Sequence, residues 1–580
     1  MKKYKVRNSG FDIEPHEVFL DKLAHVREEE LGISEKKLEV PLKERISYFM
    51  FAIFFLLAAV LLVKIFYLQV LDGKKMMIAA ENNKGSANIL VPERGVIYDK
   101  DLKKLVSNSP AFDLVCDRAH FSYSSDIISR EINDMAQATG QNMADVSSKI
   151  QGSDASQVLI AEDIDHQNLL VLETKINDLQ GCYITQNTKR NYLYGPVFSQ
   201  ILGYTSRINK DEYSASQGYA INDYIGKIGL EKYYETYLRG VPGQSRAEKT
   251  AAGESEEDKI LASPQSGDNL VLNIDADLQS KVYEILGKRL QEIGVKKGAA
   301  VAMNPQTGAV LALVSYPSYD DNAFSGGISQ KDFQDLLNDP SQPHGWVDMK
   351  KALAVSSNIY FYTVGGGYGD QQGLGPTKIK KYLSLFGWDQ KTGIDLPGEY
   401  AGFIPDPAWK KATKGQGWWD GDTYNLAIGQ SDLQTTPLQV ASAYCAIANG
   451  GTLYKPQIVN KIISGSGKDA KTVREFSPQI IRSNFIDPAN LEIVRQGMRD
   501  GVTEDYGLSR SLRSLPVSSA AKTGTAQIGR ENEFNVWSSV FAPYDNPQIV
   551  LVLMAENVQG LSTVIVPAAK EILNWYFSKK

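Results

Sequence analysis

Lys522-Thr523-Gly524-Thr525 is the stretch of this chain whose residue types and order could do chemistry. A strand that offers an ammonium, a hydroxyl, a residue without Cβ and a second hydroxyl can hold a peptide carboxylate beside a reactive serine. Ala520, Ala521 and Ala526 keep that strand slim, and Gly524 leaves room for a peptide pairing with its edge. Upstream, Ser356-Ser357-Asn358 closes the apolar run Ala352–Val355 and precedes Ile359–Tyr362. Polar groups inside an apolar segment need partners or a task. The plainer reading of Ser356 and Asn358 is a helix-capping or turn cluster. The chemical reading is a hydroxyl for proton transfer and an amide that holds a substrate.

Context separates these triplets from look-alikes. Lys391-Thr392-Gly393 runs into Ile-Asp-Leu-Pro-Gly, which turns, and Ser86-Ala87-Asn88 has no apolar helical run before it. A serine becomes a nucleophile when a base such as a lysine is held beside it, most simply one helical turn away. Only two S-x-x-K spellings exist, Ser34–Lys37 and Ser519–Lys522. The second lies on the strand itself, where residues i and i+3 point to opposite faces, so Ser519 and Lys522 do not form a helical pair. No base for Ser356 is visible in the sequence.

The elements that must position these groups follow from pattern. Leu270–Ile274 reads as a strand and Leu278–Ile293 as an amphipathic helix. Gly298–Met303 and Val310–Tyr316 read as strands joined by the turn Asn304-Pro305-Gln306-Thr307-Gly308. Leu438–Ala448 is a helix stopped by Gly450-Gly451. Val536–Phe541 and Ile549–Met554 are strands, and Ala568–Phe577 is a final helix. That order describes an antiparallel sheet with helices on its faces. Before it, 87–117 alternates as strands do, 124–176 has helical patterning with Gly breaks, and 246–259 reads as an exposed linker.

Composition narrows the class. The 580 residues exceed one core, and a net charge of −6 argues against nucleic acid as a partner. Cys116, Cys182 and Cys445 lie far apart and are odd in number, so no disulfide framework is expected, and the five histidines show no metal-ligand spacing. Ile46–Val63 carries no charge. About 18 residues at 1.5 Å each nearly cross a ~30 Å hydrocarbon core, which predicts a single anchor over 46–70 after a cytoplasmic tail, 1–45. The polar stretch before it argues against a cleaved signal peptide.

Residues 87–580 resemble the class B penicillin-binding proteins, the monofunctional peptidoglycan D,D-transpeptidases. Pro92-Glu93-Arg94-Gly95-Val96-Ile97-Tyr98-Asp99, Ile201-Leu202-Gly203-Tyr204-Thr205, Gly229-Leu230-Glu231 and Leu238–Gly243 look like blocks of the family's pedestal. Asn304–Gly308, Ser315–Asp320, Tyr424-Asn425-Leu426-Ala427-Ile428-Gly429-Gln430 and Thr436–Gln439 look like its transpeptidase blocks. Trp418-Trp419 gives the flavour of the elongation-type member. The resemblance implies a multidomain chain: a transmembrane helix, a β-rich pedestal of dimerisation type over 71–264, and an α/β (α+β) transpeptidase domain over 265–580.

One landmark of the family is missing. Its nucleophilic S-x-x-K belongs between Tyr319-Asp320-Asp321-Asn322-Ala323-Phe324 and Ser356, and this chain has none there. An internal deletion with its junction near Pro343/His344 is expected, with a loosened or misfolded transpeptidase domain. By resemblance, Lys522 supplies positive potential, Thr523 and Thr525 bond the substrate carboxylate, Gly524 gives room, and the Thr525 N–H is an oxyanion donor. Ser356 passes a proton and Asn358 holds the substrate amide. The expected function is binding of D-Ala-D-Ala stem peptides, and of β-lactams without a covalent bond, by a catalytically dead pseudoenzyme on the outer side of the inner membrane. The alternative is a non-catalytic scaffold that docks a polytopic glycan polymerase. No cofactor is expected.

Overall fold

The computed structural model describes residues 44–67, 87–117, 125–152, 157–179, 181–208, 212, 219, 223–246, 259–318, 348–528, 533–560 and 562–579. The tail, Ser34–Lys37, most of the 246–259 linker, Tyr319–Phe324 and the Pro343/His344 junction lie outside them. By itself, Glu44–Phe66 is a helix of 23 residues. Among the described residues no helix is long and apolar enough to cross a membrane, so the anchor expected over 46–70 rests on the sequence.

Among the described residues the rest forms five sheets, of which the two largest carry most of the core. The first is a five-stranded antiparallel sheet in the order Val310–Tyr316, Gly298–Met303, Ile549–Val558, Phe534–Ala542, Ala520–Gln527. Strand alternation splits its side chains between two cores. Ala300, Ala302, Leu551 and Leu553 face the helices Ala276–Glu292 and Val566–Ser578. Val301, Met303, Val550 and Val552 face Pro437–Ala448 and Pro488–Thr503. The expected loosening therefore does not reach the sheet, whose two faces are both packed. The helices Asn358–Gly366 and Gly375–Leu385 contribute no residue to any of the three buried apolar clusters.

The second sheet has seven strands and joins distant parts of the chain. Ile97–Tyr98 pairs in parallel with Asn269–Leu272, which pairs antiparallel with Val459–Ser464. The signature blocks of the N-terminal half meet in a buried ion network. Arg94 Nε donates to Glu231 at 2.8 Å, Arg94 Nη2 to Glu235 at 2.5 Å, and Arg190 Nε to Glu231 at 2.8 Å. Burial opposes the Glu231 charge, but Arg190 and Arg94 hold its carboxyl below the usual range.

Two expectations need correction. The region 124–176 is not wholly helical, because Gln157–Ala161 enters the sheet as a strand between helices. A disulfide links Cys116 and Cys182, 66 residues apart. The strands Lys104–Asp117 and Cys182–Tyr192 pair antiparallel with those two residues face to face, so separation in sequence gave no measure of separation in space.

Candidate functional site

Ser356 is placed by a strained helix end. Asp348 caps the helix Met349–Val355 by accepting from Lys351 N at 2.7 Å. Ser356 then takes the left-handed conformation, φ +56° and ψ 50°. Its N–H bonds Leu353 O at 3.4 Å and the Ser357 N–H bonds Ala352 O at 2.9 Å, the paired bonds of a Schellman turn with serine where glycine is usual. Ser357 in turn caps the helix Asn358–Gly366 by accepting from Tyr360 N. The capping reading thus holds for Ser357 and does not exclude the chemical one for its neighbour.

Two glycines carry Ser356 to the sheet. Gly497 and Gly501 lie one turn apart on the helix Pro488–Thr503. A Cβ on Gly497 would stand 2.8 Å from Leu353 Cδ1 and 3.0 Å from Lys350 Cα. One on Gly501 would stand 3.2 Å from Ala521 O and 3.6 Å from Ala354 Cα. Glycine therefore lets this helix lie against both the Ser356 helix and the strand Ala520–Gln527. The result is a contact that the sequence does not announce: Lys522 Nζ donates to Ser356 Oγ at 2.7 Å and to Thr523 O at 2.5 Å. The sequence shows no basic group near Ser356; the structure places the Lys522 amine there.

Desolvation pushes the Lys522 ammonium down to about 8. Near neutral pH most of it still carries its proton and donates to Ser356, so it is a cation beside a hydroxyl rather than a free base. Ser519 is buried, and its hydroxyl has no hydrogen-bond partner among the described residues.

Among the described residues, Ala520–Gln527 is an edge strand, paired only with Phe534–Ala542. Lys522 and Gly524 share one face; Thr523 alternates to the other and is buried, away from the contact with Ser356. Thr525 and Gly524 are half-buried near the outer end, with Trp537 Cβ 3.4 Å from where a Gly524 Cβ would stand. Asn358 is exposed at the start of its helix. The structure thus brings Lys522 and Ser356 together, sets Gly524 and Thr525 along the same edge, and leaves Asn358 and Thr523 apart from that pair. The cavity of about 200 Å³ bounded by Tyr234, Asp395, Lys455, Arg474 and Phe476 has none of these residues in its lining.

One residue of the site carries no chemical role in the sequence reading. Gln430 lies across the strand edge, its Nε2 donating to Thr525 O at 3.0 Å and its Oε1 accepting from Gln527 N at 3.0 Å. Its only signal in sequence is the block Tyr424–Gln430. The helix Asp420–Ala427 ends there with Gly429 at φ +77°. It packs on Asn358–Gly366 through Gly365 and Gly366, where a Cβ would meet Ala427 at 2.2 Å and the Tyr424 ring at 2.1 Å. The cleft is therefore closed as a ring, from Ser356 through these two helices to Gln430, the strand edge and Lys522.

Residues 327–574 match the penicillin binding protein transpeptidase domain, and 89–272 match the penicillin-binding protein dimerisation domain. The peptidoglycan D,D-transpeptidase MrdA of Haemophilus influenzae is 27% identical over 629 residues, covering 94% of this chain and 93% of the relative. Penicillin-binding protein 2A of Bacillus subtilis is 26% identical over 73% of this chain and 69% of its own. The Helicobacter pylori penicillin-binding protein PBP2, in complex with MreC, superposes with a TM-score of 0.72 at 23% identity, over 85% of this chain and 99% of that one. Two domain families matched in series, a relative matched nearly end to end and the same fold place this chain in the class B penicillin-binding proteins, the family of the peptidoglycan D,D-transpeptidases.

Proposed function

We propose that this chain binds the D-Ala-D-Ala end of peptidoglycan stem peptides along the outer edge of Ala520–Gln527, binds β-lactams there without a covalent bond, and does not transfer the acyl group. The observation that carries this is the Lys522 ammonium, held at 2.7 Å from Ser356 Oγ beside an edge strand. A C-terminal carboxylate finds positive charge there, and a peptide finds a strand edge whose Thr525 O and Gln527 N are bonded by a side chain, Gln430, and not by a neighbouring strand. By family resemblance, Thr525 bonds the carboxylate and its N–H faces the reacting carbonyl; Thr523 and Asn358, which the resemblance also implicates, stand apart from the Lys522–Ser356 pair in this structure. Our reading is that the site lacks an activated nucleophile among the described residues. Ser356 accepts the Lys522 hydrogen bond, and near neutral pH most of the lysine is in the form that donates to the hydroxyl and does not deprotonate it.

Loss of the S-x-x-K segment near Pro343/His344 fits two further facts. The match to the Haemophilus influenzae relative runs over 629 residues although this chain has 580, so part of the relative has no counterpart here. In the helical layer, Ile359 is 70% exposed and Tyr368 80%. Apolar side chains left bare around a cleft fit the removal of an element that once covered them.

The anchor belongs to the same proposal. A helix of 23 residues is about 35 Å long. Its side chains from Ile53 to Phe66 are apolar apart from Lys64, and all but Ala58 and Ala59 among the apolar ones are large and exposed. The described part of the helix is not by itself long and apolar enough to cross a membrane, so the span is read from the uncharged sequence Ile46–Val63. The tail 1–45 then lies in the cytoplasm and the bulk of the chain on the extracytoplasmic side.

The scaffold reading is supported by relatives rather than by the cleft. The Helicobacter pylori protein is found in complex with MreC, and a similar fold occurs in a peptidoglycan synthase complex that coordinates polymerization and crosslinking. Titration with an N-acylated D-Ala-D-Ala peptide and its C-terminal amide separates the two readings. Carboxylate-dependent binding supports the peptide site; equal or absent binding of both leaves the scaffold.

A further inference from the structure

We infer that Gln430 is a latch on the strand edge: its side-chain amide occupies the place of a peptide group, and a ligand strand binds only by displacing it. This rests on the reading of that edge as the peptide site.

The geometry is that of strand addition in miniature. Along an edge strand, every second residue turns its N–H and C=O outward. Here Thr525 O and Gln527 N point outward, and both are taken by one side chain, at 3.0 Å each. A primary amide carries the same donor and acceptor as a peptide bond. Gln430 therefore satisfies the edge as a neighbouring strand would, and it hides the backbone on which an added peptide depends.

The chain builds this position deliberately. The Gly429 N–H bonds Leu426 O at 3.1 Å and the Gln430 N–H bonds Asn425 O at 2.9 Å, so Gln430 is fixed just beyond a Schellman helix end. Ser431 follows at φ +70°, a left-handed conformation that costs a non-glycine residue free energy. Two left-handed residues, Gly429 and Ser431, thus bracket the one that reaches the strand. The backbone is held while the side chain, with three rotatable bonds, is free to swing.

The latch makes the cleft selective. A ligand that only places a carboxylate near Lys522 gains nothing from clearing the edge. A ligand that also offers a peptide N–H to Thr525 O replaces what it removes. Extended acyl-D-Ala-D-Ala peptides are therefore favoured over short carboxylates.

The test uses the full chain in detergent, with Gln430→Ala and Gln430→Glu. Hydrogen exchange at the Gln527 amide reports the latch in the free protein, and titration with N-acetylated L-Lys-D-Ala-D-Ala reports the site. Gln430→Ala is expected to speed exchange at Gln527 and to tighten peptide binding roughly tenfold, the worth of one or two ordinary hydrogen bonds. Gln430→Glu keeps the acceptor for Gln527 N and sets a carboxylate against Thr525 O, and is expected to release that carbonyl while protecting Gln527. Faster exchange with unchanged or weaker peptide binding overturns the latch. Faster exchange with no peptide binding in either protein overturns the reading of the edge on which the latch rests. Unchanged exchange in Gln430→Ala overturns the contact itself.

Discussion

Lys522 Nζ and Ser356 Oγ lie 2.7 Å apart across 166 residues of sequence, joining the outermost strand of the sheet to the end of a short helix. The contact buries an ammonium, and its consequence for stability follows from proton linkage. Desolvation lowers the folded Lys522 pKa to about 8 from an ordinary 10.5. Between those values the unfolded chain holds more proton than the folded one, so stability rises with pH across that window. Below about 8 the cost of burying the cation is fully present. Lys522→Met is expected to remove a rise of order 1–3 kcal/mol between pH 7.5 and 10.5, read by urea unfolding of both proteins.

Close approach at two glycines holds that contact. Gly497→Ala places a methyl 2.8 Å from Leu353 Cδ1 and 3.0 Å from the Lys350 backbone. It is expected to cost about 1–3 kcal/mol and to move Ser356 away from Lys522. With water admitted, the lysine pKa climbs back toward its ordinary value, which side-chain nitrogen NMR would follow. A lysine still titrating near 8 in this variant would show that the helix does not set the site.

Ser356 pays a conformational cost for its position. Its φ of +56° suits glycine. Ser356→Gly is expected to hold or raise stability by up to about 1 kcal/mol while removing the hydroxyl, and Ser356→Ala is expected to lower it. The pair of melting temperatures checks this. A glycine variant less stable than the alanine variant would mean that strain is not what the turn imposes.

The disulfide gives a prediction independent of the cleft. Cys116–Cys182 closes a loop with a sequence separation of 66. Chain-entropy reasoning assigns such a bridge about 4 kcal/mol. Cys445 is buried, and desolvation raises its thiol pKa. Alkylation of the unfolded, unreduced protein taken from cells is expected to add one label, and three after reduction. Three labels without reductant would show that the bridge does not form where the protein resides.

Much of the fold was legible because it is local. The turn Asn304–Gly308 marked its two strands, the apolar spacing of Val282, Ile285, Leu286 and Leu290 marked the helix on the sheet, and the small residues around Lys522 marked an edge. What escaped was assembled from distant pieces. The parallel pairing of Ile97–Tyr98 with Asn269–Leu272, the facing of Cys116 and Cys182 and the strand Gln157–Ala161 all depend on partners that pattern does not name. The Lys522–Ser356 contact depends on Gly497 and Gly501, which read as weak points of a helix until their neighbours are seen. Gln430 was visible as part of a block and invisible as a group that binds backbone, because nothing in its own sequence says which strand lies opposite.

The central property of the cleft is that it grips a ligand without forming an ester. Intact mass and peptide mapping after prolonged exposure of the full-length protein to benzylpenicillin at neutral pH measure this directly. The unmodified mass alone is expected, with the penicillin recovered unopened. A covalent adduct on Ser356, Ser519 or any other serine would contradict it.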